Sequence, residues 1–502
     1  MNFTEYLACD ATALAQAVAR GEVSATELLE LALAQQARVH GRINAVCRLM
    51  EPQARAQLAG PLAGPFAGVP LLIKDVTHDY AGLPTSAGSR ALLRVIPSEH
   101  SAVVRRFLQA GFVIFGKTNL PEFGLKGVTD PQAFGRTNNP WDPARTPGGS
   151  SGGAAAAIAS GIVPLAAASD GGGSIRIPAS YCGLFGLRPS RGRVSVGPGS
   201  GEIWFGASSE GVLSRSVRDS AAALDALRGP EPGDPFVIAE PAAAYTELMG
   251  HDPGRLRIGY SLESPLGTPV HAQAQAAVHE AVALLRGLGH EVEPAAPRFD
   301  GAALAASFVN IYFGQVAAAV AAAQAQGARR EEFEDLTRVL AALGRARSAA
   351  SVVTQLDRWN EFSRALGRFH RDHDLLLTPT VAAPAVLHGT GDPSAAEMRV
   401  FDLLERSGLL GVLARAGLLD GTIARMTREN LQYVPFTQLA NLTGTPAMSV
   451  PLHWTPEGLP MGVQFVAPFG REDRLLQLAR QLELARPWFH RLPHWLGAGA
   501  MP

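Results

Sequence analysis

Lysine is almost missing from this chain of 502 residues. Of its 44 lysines and arginines only Lys74, Lys117 and Lys126 are lysine, and all three fall in one short stretch. A chain that otherwise uses arginine is expected to keep lysine where arginine cannot substitute, and losing a proton near neutral pH is one such task. Cysteine is scarce too. Cys9, Cys47 and Cys182 are odd in number and lack Cys-x-x-Cys spacing, which argues against a disulfide framework or a thiolate metal site and leaves them as small buried apolar residues. The formal net charge is -1 with no basic run or stripe, so nothing supplies the attraction that nucleic acid requires, and no nucleic-acid partner is expected. The N-terminus lacks a signal-peptide pattern. The longest apolar candidate, Ala154 to Ser169, is mostly alanine and is broken by Gly161 and Pro164, too short for a bilayer. A cytoplasmic protein with no membrane partner is expected.

What is present is an ordinary globular balance, 47% hydrophobic and 18% charged, with enough apolar material for a large core. Ser24-Ala-Thr-Glu27 is a capping box that opens a helix through Leu28, Leu29, Leu31 and Leu33. Short strand-like runs follow at Val69 to Ile73, Phe112 to Phe115 and Ile162 to Leu165, separated by Gly, Pro and Asn. Residues 230 to 253 read as a linker, followed by a strand at Leu256 to Tyr260 and a helix from about Ala272 to Leu288. Residues 301 to 371 are alanine-rich and helical in character, and Asp374 to Leu377 looks like a buried strand. Met448 to Leu452 and Gly462 to Val466 flank Pro456-Glu-Gly458 as a hairpin, and a helix from Arg471 to Arg486 stops at Pro487. This alternation predicts an α/β protein: a single large layered domain with a mixed β-sheet core flanked by helices. Its expected parts are a helical lead-in over 1–60, a glycine-rich core over 61–230, a variable α/β and helical pocket region over 231–440, and C-terminal elements over 441–502 that complete the same domain.

Two motifs mislead. Gly111 to Thr118 matches the phosphate-loop pattern letter for letter, but its middle positions are themselves strand-like and Pro121 follows where a helix should be under way. Gly148-Gly-Ser-Ser-Gly152 matches the nucleophile elbow of Ser-His-Asp hydrolases, which would make Ser150 the nucleophile with Asp374 and His388 or His490 as partners. An elbow follows a strand, whereas Asn138 to Pro147 is loop chemistry. A Gly/Ser linker is the bland alternative, yet this run leads straight into Ala154 to Ile158 and reads as a loop feeding a helix. A second glycine cluster, Asp170-Gly-Gly-Gly-Ser-Ile-Arg-Ile-Pro178, lets the backbone approach a ligand closely and can offer successive N–H groups to an anion. Acyl transfer needs such a cluster, because negative charge develops on the carbonyl oxygen in its transition state.

Lys74 in Leu72-Ile-Lys-Asp75, the Gly148 to Gly153 run, Gly172-Gly-Ser-Ile-Arg176 and Cys182-Gly-Leu-Phe-Gly-Leu-Arg-Pro189 stand in one order, and together the chain resembles the amidase signature family. A looser match at Phe436 to Pro446 and Gly458 to Gln464 extends the resemblance to nearly the full length. The resemblance implies the amidase signature fold. It implies Ser174 as nucleophile, Ser150 as a bridging serine held after a cis peptide bond, Lys74 as base, and an oxyanion hole from the N–H groups of Gly171, Gly172, Gly173 and Ser174. The reaction it implies is hydrolysis of a carboxamide C–N bond of a small molecule through an acyl-enzyme, with no cofactor and no metal.

The chemistry accounts for these residue types. A serine hydroxyl is a poor nucleophile until a base takes its proton, and an ammonium cannot be that base, so the Lys74 pKa has to fall by roughly 2 to 3 units. Ser150 is expected to relay the proton and return one to the departing amine. Ser151 is expected to support by hydrogen bonding, Asp170 and Arg176 to hold the nucleophile loop, and His78 to be a surface or loop histidine.

Two positions depart from the family pattern: Gly171, where a larger residue is common, and Arg188, where lysine is frequent. The catalytic A-type chain of tRNA-dependent amidotransferases carries Gln where this chain has Ile177, which weakens that alternative. Ser174 to Ser180, Arg188 to Arg193 and Phe465 to Asp473 look most like the bacterial members related to 6-aminohexanoate cyclic dimer hydrolase. Linear amides, cyclic amides, anilides and carbamates all stay open as substrates, as do a homodimer and an inactive binding scaffold. Tyr312, Phe313 and Tyr433 are expected to help wall the acyl pocket, although such aromatics more often fill a core.

Overall fold

The Ser24–Glu27 capping box forms as its spacing predicts. The Glu27 N–H donates to Ser24 Oγ at 3.2 Å, the Ser24 N–H donates to the Glu27 carboxylate at 2.8 Å, and the helix Ala25–Ile43 follows. The computed structural model describes residues 1–497. Eleven strands among them form one sheet: β1 Val46–Leu49, β2 Pro70–Lys74, β3 Val113–Thr118, β4 Leu165–Asp170, β5 Phe185–Arg188, β6 Ser209–Ser214, β7 Arg257–Tyr260, β8 Glu291–Pro294, β9 Leu375–Pro379, β10 Ala447–Trp454 and β11 Pro460–Val466. Their order is β1-β3-β2-β4-β6-β5-β10-β11-β9-β7-β8. The sheet is mixed. β2 runs parallel to β3 and β4, and β7 parallel to β8 and β9, whereas β4–β6, β5–β10 and β10–β11 are antiparallel.

The central strands are buried on both faces, so successive side chains feed two different cores. Leu71, Ile73 and Ile114 pack on one face, and Leu72, Val113 and Phe115 on the other. Each such side chain contributes about 1.5–3 kcal/mol relative to exposure. The expected hairpin forms between β10 and β11, and the helix Glu472–Ala485 ends just before Pro487. The strand expected at Ile162 to Leu165 instead runs Leu165–Asp170, because Pro164 has no N–H to give a ladder. The Ala154 to Ser169 stretch is therefore divided between the helix Gly152–Ala159 and β4. One helix, Gly301–Ala325, is long and apolar enough to cross a membrane by length and composition, yet half of its most apolar window is buried inside the protein.

Register positions the site. Leu72 of β2 pairs with Ala166 of β4 in parallel, so Lys74 and Ser169 finish at the same edge of the sheet. The glycine clusters at 148–153 and 171–173 lie beside that edge, the second immediately after β4.

Candidate active site

Lys74 ends β2 and is fully buried. Its Nζ meets three hydroxyls: Ser150 Oγ at 2.8 Å, Ser151 Oγ at 2.9 Å and Ser169 Oγ at 2.9 Å. Burial lowers its pKa to about 8, against the opposing pull of the Glu210 and Asp170 carboxylates. Ser150 follows two left-handed glycines, Gly148 at φ 82° and Gly149 at φ 60°. The Gly149 N–H donates to Gly127 O at 2.8 Å, and Thr129 Oγ1 donates to Gly149 O at 2.9 Å. The Ser150 N–H donates to Ser174 Oγ at 3.0 Å, which brings the second glycine cluster onto the first. Lys74, Ser150 and Ser174 are thus gathered in one place.

The cis peptide expected before Ser150 is corrected by the structure. Among the described residues the cis bond is Gly197–Pro198, and the Gly149–Ser150 bond is trans. The two left-handed glycines reverse the chain with trans peptides, and hydrogen bonds on both polar groups of Gly149 pin that turn.

The loop carrying Ser174 is fixed by a buried ion pair. Asp170 and Arg176 have no exposed side-chain surface; Arg176 Nε donates to Asp170 Oδ2 at 3.0 Å and Nη2 to Oδ1 at 2.9 Å. The Gly173 N–H donates to Asp170 Oδ1 at 2.7 Å and the Ile175 N–H to Oδ2 at 3.1 Å. Burial alone would push the Asp170 carboxyl up, but Arg176 and these donors outweigh it and hold it well below the usual carboxylate range. Arg176 also reaches Thr437 O, Gln464 Oε1 and Asn441 Oδ1, tying the loop to the C-terminal elements. Of the four amides that the sequence reading assigned to an oxyanion, that of Gly173 is engaged by Asp170. Those of Gly171, Gly172 and Ser174 have no protein partner among the described residues.

One buried residue, Ser169, has no signal in the sequence, and another, His78, lies deeper than expected. Ser169 supplies the third hydroxyl to Lys74 but sits in an alanine-rich strand, where no local pattern marks it. His78 is fully buried, not at the surface. The Lys74 N–H donates to its Nδ1 at 3.0 Å, which leaves its Nε2–H for Glu210 Oε2 at 2.7 Å. Both ring nitrogens are occupied, so His78 has no lone pair left for a serine. The other misleading motifs resolve similarly. Gly116 and Lys117 lie inside β3, with Lys117 Nζ bound to Pro84 O, Thr85 Oγ1 and Asp75. Asp374 is bound to Arg474 and to the Arg257 N–H, and the hydroxyl of Ser150 faces lysine, not histidine.

These groups line a cavity of about 330 Å³ with Ser174, Gly171 and Gly172 on its wall. Tyr312, Phe313 and Tyr433 all reach it, and so do Met398, Phe401 and Met426 from the helices Ala395–Arg406 and Asp420–Leu431. Among the described residues no group of three or more His, Cys, Asp or Glu could hold a metal ion.

The sequence profile of the amidase family matches residues 27–409 and 419–476. The chain is 37% identical over 507 residues to 6-aminohexanoate-cyclic-dimer hydrolase of Paenarthrobacter ureafaciens, covering 97% of each. It is 34% identical over 504 residues to the A-type chain of the glutamyl-tRNA(Gln) amidotransferase of Synechococcus sp. (strain RCC307), covering 94% of this chain and 96% of that one. A solved structure of 6-aminohexanoate cyclic dimer hydrolase superposes with a TM-score of 0.88 at 34% identity, over 98% of this chain and 99% of the other. With its mixed sheet, its two glycine clusters and this likeness along its whole length, the chain belongs to the amidase signature family and is an amide-hydrolysing enzyme.

Proposed function

We propose that the protein hydrolyses the carboxamide C–N bond of a small molecule with Ser174 as nucleophile, Ser150 as proton relay and Lys74 as base. The carrying observation is the contact of a buried, pKa-lowered amine with Ser150, whose own N–H holds the Ser174 hydroxyl. A neutral amine has two N–H donors and one lone pair, which matches three hydroxyl neighbours. Ser151 gives its own proton to Ser169 O at 3.2 Å, so it accepts from Lys74. Ser169 takes the second donor, and the lone pair faces Ser150.

In the first half-reaction the Ser174 proton passes to Ser150 Oγ while the Ser150 proton passes to Lys74 Nζ. Ser174 Oγ bonds to the carbonyl carbon and the carbonyl π electrons move to oxygen, where the amides of Gly171, Gly172 and Ser174 receive the charge. Collapse breaks the C–N bond as Lys74 returns its proton through Ser150 to the departing nitrogen. Water then attacks the Ser174 ester by the same relay, releasing the acid. Ser151, Asp170 and Arg176 hold these groups in place.

The substrate class is read from the 6-aminohexanoate-cyclic-dimer hydrolases, which favours a linear or cyclic amide, with anilides and carbamates as the next candidates. An amidotransferase role is the weaker reading, because Ile177 puts an apolar side chain beside Ser174 on the cavity wall. The deciding experiment is turnover of linear amides, cyclic amides, anilides and carbamates by the wild type, Ser174→Ala and Lys74→Ala. The proposal expects hydrolysis of at least one class by the wild type and background rates from both variants. Full activity in Lys74→Ala would move the chemistry to a histidine, and no turnover with any class would favour an inert scaffold.

A further inference from the structure

Trp204, Phe205 and Gly206 are three consecutive residues with left-handed backbone, at φ 56°, 55° and 74°. The first two are bulky side chains in a conformation that such residues rarely adopt, and residues held this way cluster at ligand clamps. The turn is pinned from several sides. The Gly206 N–H donates to Glu202 Oε2 at 2.9 Å, Arg191 Nε donates to Gly206 O at 2.9 Å, and the Ala207 N–H donates to Trp204 O at 3.0 Å. The product of this turn is the placement of one indole against the glycine loop. A methyl group added at Gly171 would stand 3.4 Å from the Trp204 ring, and one added at Gly172 would stand 2.7 Å from the Phe308 ring. Trp204, Phe308 and Tyr312 pack on one another with centroids 5.6 to 6.3 Å apart, and all three line the cavity.

We infer that Trp204, backed by Phe308 and Tyr312, is the specificity-determining wall for the acyl part of the substrate and selects an uncharged apolar or aromatic acyl chain. The inference rests on the assignment of Ser174 as nucleophile. If the carbonyl oxygen faces the free amides of Gly171 and Gly172, the group on that carbonyl lies against the rings that cover those glycines. The acyl group stays bonded to Ser174 while the amine departs, so the wall beside the glycine loop suits the acyl chain. Charge on the cavity wall is already committed. Its charged residues are Lys74, enclosed by three hydroxyls, and Lys126 and Asp392, which pair with each other at 2.8 Å while Lys126 also binds Asp130 at 2.6 Å. Among the described residues no wall cation is left to receive a carboxylate, which would lose its hydration without a partner.

The test measures kcat/KM for p-nitroanilides of acetic, hexanoic and 3-phenylpropanoic acids and the mono-p-nitroanilide of glutaric acid, with the wild type, Trp204→Ala, Trp204→Phe and Phe308→Ala. The wild type is expected to prefer the hexanoyl and phenylpropanoyl groups over acetyl by at least tenfold and over glutaryl by at least a hundredfold. Trp204→Ala is expected to shrink the ratio of phenylpropanoyl to acetyl by about tenfold, Trp204→Phe to keep most of it, and Phe308→Ala to shrink it independently if Trp204→Ala does not fold. An equal fall on all substrates in both alanine variants, or a wild type indifferent to the acyl group, overturns the inference. If Ser174→Ala hydrolyses the same anilides as well as the wild type, the nucleophile assignment fails instead.

Discussion

His78 Nδ1 accepts the backbone N–H of Lys74 at 3.0 Å, so a ring on the loop after β2 fixes the end of the strand that carries the proposed base. The far side of the ring binds Glu210, which also accepts from Thr77 Oγ1 at 2.8 Å. Glu210 is 1% exposed, and its charge raises the Lys74 pKa against the stronger lowering by burial. Glu210→Gln keeps the shape and an acceptor for His78 while removing the charge. The acid limb of the kcat/KM profile is expected to move to lower pH in this variant, and an unmoved limb would dissociate Glu210 from Lys74. His78→Ala leaves the buried Lys74 N–H and Glu210 Oε2 without partners, although Thr77 still serves Oε1, and is expected to cost about 1–3 kcal/mol in denaturant unfolding.

With a Lys74 pKa of about 8, only about a tenth of the enzyme holds a neutral amine at pH 7. The rate is therefore expected to rise with pH and level off above about 9, because deprotonation creates the active form. Lys74→Arg keeps the positive charge but cannot lose a proton in this range. It is expected to lower kcat by about 10²–10⁴-fold at every pH, and steady-state kinetics across pH 6 to 10 check both points.

Ser169 Oγ lies 2.9 Å from Lys74 Nζ, as close as Ser151 Oγ. Ser169→Ala removes one acceptor that orients the amine, worth about 1 kcal/mol, which corresponds to roughly a fivefold fall in kcat. Fluorophosphonate labelling rates would show whether the loss lies in activating the nucleophile.

Asp170→Asn leaves the buried Arg176 guanidinium without its counter-charge and is expected to cost about 3–5 kcal/mol of stability, read from the denaturant midpoint. The pH dependence has a definite sign. The folded carboxyl is held below its unfolded value, so the unfolded chain takes up the proton first as pH falls. This contribution is full above about pH 4 and is lost as pH drops toward the lowered folded value. The wild type should show that acid loss, and Asp170→Asn should show less of it.

Lys74, Ser150 and Ser174, which the structure brings together, drew attention in the sequence because each stands in a local run whose chemistry is unusual: a rare lysine and two glycine-rich turns. The sequence also revealed the mixed sheet, since capping, alternation and turn residues agree along most of the chain. Ser169 was hidden because it meets Lys74 only through the parallel pairing of β2 and β4, a relation that no single segment carries. The burial of His78 on its loop was hidden because its partner Glu210 lies on β6, far along the chain. The engagement of Gly173 by Asp170 was likewise invisible, because consecutive glycines do not disclose which N–H turns inward. Within the expected pocket region over 231–440, the particular residues of the helices over 395–431 that reach the cavity were not legible, since apolar side chains serve equally well as core.

The most direct test of the account is to label the native protein with a fluorophosphonate and fragment the tryptic peptide spanning 146–176, which carries Ser150, Ser151, Ser160, Ser169 and Ser174. The account predicts one adduct, on Ser174, absent from Ser174→Ala and strongly slowed in Lys74→Ala. An adduct on Ser150, or labelling that persists at full rate without Lys74, would contradict it.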